Sequence, residues 1–131
     1  MRYLNEEELN IASRYLFLSM AIIVIEKDIQ HVEKGPFKIK EPYLKLLYKM
    51  DSIAKNERRQ LRKKMHDQNI KVVLKDKDDT FSTYLFLARG YEEEKRYFNP
   101  VIRKRVEDLL DELMLQAQKE NLSQAVQVHN S

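Results

Sequence analysis

The stretch Tyr15–Ile25, YLFLSMAIIVI, constrains this chain more than any other, because it offers water almost nothing. It lies in a longer segment, Asn5 to Lys34, that contains neither Pro nor Gly. Within that segment Ile11, Tyr15, Leu18, Ile22, Ile25, Ile29 and Val32 follow one another at intervals alternating between four and three, the period of an α-helix. A second row, Leu9, Ala12, Leu16, Met20 and Ile23, runs beside it, and Phe17, Ala21 and Val24 widen the apolar surface. A helix apolar on nearly every side has to be sheathed by other elements, or by a second copy of the chain.

The flanks of this segment are well marked. Asn5 and Glu8 form a capping-box pattern, and Glu6 and Glu7 suit the positive end of a helix dipole. Gly35 is expected to end the helix in the left-handed conformation, with Pro36 preventing resumption. The uninterrupted apolar run is shorter than the roughly 20 residues of a membrane span. Arg14 bounds it on one side and Glu26, Lys27 and Asp28 on the other. Acidic Glu6 to Glu8 stand where a signal peptide would carry basic residues. With no cysteine in the chain, these features predict a cytoplasmic protein without disulfides, thiolate metal sites or a cysteine nucleophile.

Pro42 suits the first turn of a second helix, expected to run to His66. Its apolar stripe, Tyr43, Leu47, Met50, Ala54, Leu61 and Met65, thins towards the end, where the sequence becomes KNERRQLRKKMH. At about 100 degrees per residue, Lys55, Arg58, Arg59, Arg62, Lys63 and His66 share one sector of this helix. Beyond Gln68 the helical period fails. The runs IKVVL (Ile70 to Leu74) and TFSTYLFL (Thr80 to Leu87) around the polar DKDD suggest a β-hairpin. A helix capped by Asp79 and passing through Gly90 is the competing reading, disfavoured by the cost of a mid-helix glycine. Glu92 to Phe98 reads as a short helical piece. Asn99 and Pro100 then start a last helix whose row Ile102, Val106, Leu109, Leu113 and Ala117 carries it to about Glu120.

The expected architecture is therefore mainly α: a three-helix bundle around a buried N-terminal helix, with a β-hairpin before the last helix. An all-α four-helix bundle is the alternative. Residues 1–120 form one helical domain on this reading, and 121–131 a flexible tail.

The 24 basic against 21 acidic residues give a net charge of only +3, so a preference for an acidic partner has to come from where the charges lie. With Gly35 and Gly90 the only glycines, phosphate-cradling loops, dinucleotide fingerprints and nucleophile elbows lose their usual backbone. Asp76 to Thr80 resembles half a calcium loop, but Phe81 occupies the place of its glycine and Leu87 that of its bidentate carboxylate. Asp28-Ile-Gln-His31 is a single imperfect copy of a carboxylate-bridged metal motif that needs two. Ser19 should hydrogen-bond back to a carbonyl one turn earlier, and the aromatics Tyr84, Phe86, Tyr91, Tyr97 and Phe98 should fill core. No catalytic, cofactor-binding or metal-ligating residue is nominated.

What stands out is the basic sector of the second helix. Lys55, Arg58, Arg59, Arg62, Lys63 and His66 are candidate contacts to an acidic protein or to phosphates. The expected function is that of a small non-enzymatic interaction or regulatory protein that self-associates as a dimer, without membrane or small-molecule substrate. A nucleic-acid-binding regulator using that helix and the adjacent hairpin is the alternative.

Overall fold

The computed structural model describes residues 4–130, with side chains to residue 123. Its elements, in chain order, are α1 (Glu6–Lys34), α2 (Glu41–Asp67), β1 (Ile70–Lys77), β2 (Phe81–Ala88), β3 (Tyr91–Phe98) and α3 (Asn99–Asn130). The strands form one antiparallel sheet in the order β1-β2-β3. This corrects the expected fold class. The chain is neither a three-helix bundle carrying a hairpin nor an all-α four-helix bundle, but an α+β fold of three helices and a three-stranded sheet.

β3 is the source of the correction. Its sequence, YEEEKRYF, is rich in good helix formers, yet it pairs with β2 along its whole length, from Phe81 opposite Phe98 to Ala88 opposite Tyr91. The turn between them is the two residues Arg89 and Gly90, with φ of 53° and 79°. Positive φ at both central positions is what a tight hairpin requires, so Gly90 closes a hairpin rather than interrupting a helix. The first hairpin lies where the sequence places it. β1 pairs with β2 from Ile70 opposite Ala88 to Lys77 opposite Ser82, with a bulge between Leu74 and Asp76. Its turn is an Asx turn: the Asp78 carboxylate accepts from the amides of Thr80 at 2.8 Å and Phe81 at 2.7 Å.

α1 starts with the expected capping box: the Glu8 amide donates to Asn5 Oδ1 at 2.8 Å, and the Asn5 amide to Glu8 Oε1 at 2.9 Å. It ends at Gly35 for a reason other than the expected one. Gly35 is extended, at φ −81° and ψ 171°. Glycine fits there because a Cβ would lie 2.6 Å from the His31 carbonyl oxygen and 2.9 Å from the Phe37 ring. α3 runs to Asn130, past the Glu120 at which its apolar row predicts an end. The Asn99 side chain is committed to the sheet: its Oδ1 accepts from the Ser82 hydroxyl at 2.7 Å and its amide donates to the Asp78 carbonyl at 3.0 Å.

Two apolar clusters share α1. Its C-terminal half packs against α2 and α3 through Leu18, Ala21, Ile25, Met50, Ala54 and Leu113. Its N-terminal half packs against the sheet through Ile11, Ala12, Met65, Ile70, Tyr84 and Phe86. Met20, Leu61, Tyr97 and Ile102 touch both clusters. Of the aromatics expected in the core, Tyr84 and Phe86 are buried, Tyr97 is half-buried between Phe17 and Tyr84, and Tyr91 and Phe98 are exposed. Arg14 binds all three helices together, forking onto Glu57 of α2 at 2.6 and 3.0 Å and onto Glu112 of α3 at 3.1 and 2.9 Å. Those carboxylates hold its guanidinium above the ordinary arginine range.

By length and apolar composition α1 would suffice to cross a membrane; in the fold, 44% of its most apolar window is buried against the rest of the chain. The sheath expected around Tyr15–Ile25 is incomplete. Phe17, Leu18, Ala21, Ile22 and Ile25 are buried, but Ile23 is 55% exposed. The gap opens onto α2.

Candidate binding groove between α1 and α2

Four residues of α1, Ser19, Ile22, Ile23 and Glu26, and four of α2, Lys55, Arg58, Arg59 and Arg62, line a groove of about 450 Å³. On each helix these are positions i, i+3, i+4 and i+7, the single ridge that a helix offers to a neighbour. α3 is not part of it. The α1 residues that face α3, Asn10, Ser13, Arg14 and Phe17, lie about half a turn round α1 from the groove.

The basic residues expected to act together divide into four environments. Lys55, at the end of the groove next to Glu26, is neutralised: its Nζ lies 2.8 Å from Asp51 and 3.0 Å from Glu26, which raise its pKa. Arg58 turns inward onto α1. Its Nε donates to the Ser19 hydroxyl at 2.7 Å, and its Nη2 donates to the Tyr15 hydroxyl at 2.7 Å. Its guanidinium carbon lies 4.7 Å from the centre of the Tyr15 ring. Arg59 is exposed and donates to Asn56 Oδ1 of its own helix at 3.3 Å, and Arg62 is exposed on the groove wall. Lys63 and His66 lie outside the lining. Lys63 is exposed, and His66, with a side chain 90% exposed, sits 3.6 Å from Asp67.

Arg58 sets the electrostatics. All three of its contacts are to neutral groups, so its orientation is fixed while its charge stays uncompensated. Among the described residues, Arg58, Arg59 and Arg62 have no ion-pair partner within 4.0 Å. Three guanidinium groups on one wall, one of them already ordered, facing the aliphatic Ile22 and Ile23, can receive carboxylate or phosphate oxygens bidentately while covering apolar surface.

The residues missed at the sequence level are Tyr15, Ser19 and Ile23. Ser19 does bond to the Tyr15 carbonyl one turn back, at 2.7 Å, as expected, and the same hydroxyl also accepts from Arg58. A serine and a tyrosine hydroxyl one turn apart in an otherwise apolar helix were the available signal. Such a pair needs a polar neighbour when packed.

The hairpin stands next to the basic helix as expected, but Asp76, Asp78 and Asp79 cluster at its tip. The backbone amides of Phe81 and Thr80 hold the Asp78 carboxyl below the usual range, so it keeps its negative charge. The tip is of mixed sign, since Lys77 lies between these aspartates and Arg96 stands close to Asp78.

A family model described as YhjD protein matches residues 3–118. "Uncharacterized protein YhjD" of Bacillus subtilis (strain 168) is 37% identical over 110 residues, which cover 84% of this chain and 92% of that protein. No solved structure matches. With nearly the whole described fold inside the matched range, this chain belongs to the YhjD protein family.

Proposed function

We propose that this chain is a cytoplasmic, non-enzymatic interaction protein that uses the basic flank of α2 to hold an acidic protein partner. The observation that carries this reading is Arg58, ordered by Tyr15 and Ser19 and left with its charge uncompensated beside Arg59 and Arg62. An arginine whose geometry is fixed in advance loses little rotamer freedom when a carboxylate arrives. The reading is non-enzymatic because the groove offers charge and apolar surface rather than a nucleophile beside a base. Its one hydroxyl, Ser19, donates to a backbone carbonyl.

Self-association belongs to the same proposal, through a different surface. At the far end of the helices, Phe37, Tyr43 and Met114 border an apolar hollow of about 380 Å³, with Ile39 and Leu115 also exposed. Apolar side chains in that number suit a contact between two copies. Nucleic acid is the alternative partner for the same arginines, and nuclease treatment separates the two readings.

The test is capture of partners from untreated and nuclease-treated lysate on the wild type and on the Arg59→Ala/Arg62→Ala variant, with light scattering alongside. Acidic proteins should be retained by the wild type, released by salt and lost with the double variant, and the particle mass should be that of two chains. Equal retention by both proteins, or retention that vanishes on nuclease treatment, would refute the partner reading. A strict monomer would refute self-association.

A further inference from the structure

We infer that the groove is shaped for one amphipathic acidic helix of the partner, which completes a four-helix arrangement by lying on α1 and α2 opposite α3, an inference that rests on the interaction reading above. The shape is carried by the two lining rows. Ser19, Ile22, Ile23 and Glu26 on one side and Lys55, Arg58, Arg59 and Arg62 on the other each extend over two helical turns, about 10 Å. A third helix presents its own i, i+3, i+4, i+7 ridge over the same length, and such ridges interdigitate with these. An extended chain would place alternate side chains on a different period.

Charge then fixes what that helix carries and how it lies. Lys55 is shared by Glu26 and Asp51, so one end of the groove carries no free positive charge. Arg58, Arg59 and Arg62 leave the other end and its α2 wall positive. The occupant therefore places aliphatic side chains over Ile23, and carboxylates about one turn further along, on the flank facing Arg59 and Arg62. A second copy of this chain set groove to groove about a two-fold axis across the helices would oppose its arginines to these.

The experiment uses the full chain and a capped synthetic peptide of about 18 residues, long enough to be helical, with leucines at i, i+3, i+4 and i+7 and glutamates flanking them. Two controls are the same peptide with glutamine for glutamate, and one of identical composition scrambled to break the helical period. Binding is followed by fluorescence anisotropy at low and moderate salt, and by NMR of the Ile23 methyls and the Arg58 Nε–H. The patterned peptide should bind saturably and move both sets of resonances, and the controls should bind at least about tenfold more weakly. Arg59→Ala/Arg62→Ala should weaken it roughly tenfold and flatten its salt dependence. Ile23→Ser, at an exposed position that leaves folding intact, should weaken it several-fold at unchanged salt dependence.

Equal binding of the patterned and scrambled peptides, or unmoved Ile23 and Arg58 resonances, overturns the helical occupant. So does a loss of self-association in Arg59→Ala/Arg62→Ala, which would place a second copy in the groove. If lysate capture still depends on Arg59 and Arg62 while the patterned peptide is not preferred, the helical inference falls and the interaction reading stands. If neither depends on them, both fall.

Discussion

Ile23 and Ile25 sit two residues apart in the same apolar run, and the fold gives them opposite surroundings. Ile25 is fully buried in the cluster with Met50 and Leu113, whereas Ile23 is 55% exposed at the groove. Replacing Ile25 by Ala removes three buried carbons, about 2.4 kcal/mol at 0.8 kcal/mol each. The cavity left among α1, α2 and α3 adds to this, for a total of about 3–4 kcal/mol. Ile23→Ala removes the same atoms from a site already half in water, with no cavity, for at most about 1 kcal/mol. The better helix propensity of alanine offsets roughly 0.4 kcal/mol of that. Urea unfolding of the two variants, followed by circular dichroism and fitted with a shared m value, should therefore separate them by more than about 2 kcal/mol. Equal losses would mean that Ile23 is covered in solution, and the groove would then not be an open surface.

Arg14→Met should destabilise the fold by about 1–2 kcal/mol, a buried-pair value reduced because Arg14 and Glu57 are each about a third exposed; a double-mutant cycle should show stronger coupling to Glu57 than to the more exposed Glu112. Gly90→Ala meets open space and costs only the left-handed conformation, about 1 kcal/mol, whereas Gly35→Ala drives a Cβ into the His31 carbonyl and should cost about 2 kcal/mol or more in thermal melts, despite its ordinary φ. Asp78 has a folded pKa below its unfolded one, so its contribution is present above about pH 4 and is lost as pH falls through the folded value. In Asp78→Asn the turn can still form, and the melting temperature should fall less steeply between pH 4 and pH 2 than in the wild type. A parallel fall would place the acid sensitivity elsewhere.

Local signals were legible wherever the deciding interaction lay within a few residues. The Asn5–Glu8 box, the Pro42 start, the Asp78 turn and the Ser19 back-bond all came through, as did the boundaries of α1 and α2. β3 did not, because three glutamates, a lysine and an arginine in a row favour helix, and only pairing with β2 overrides that preference. Gly90 counts in the sequence only as an argument against a continuous helix, whereas in the fold Arg89-Gly90 is the two-residue turn that starts a third strand. For the basic face, the sequence placed six side chains in one sector but could not show which of them find partners. Glu26 neutralises Lys55 and Tyr15 orders Arg58 from another helix, so the difference between a spent and an available cation arises only on packing.

Asn99 joins what the chain order keeps apart. With its Oδ1 on Ser82, its side-chain amide on Asp78 and its backbone amide on the Thr80 carbonyl at 2.8 Å, it welds the start of the last helix to the first bend of the sheet. The final helix cannot swing away from the strands as an independent arm without breaking three bonds at its root. Whatever docks between the first two helices thus meets a scaffold whose opposite wall is anchored from below.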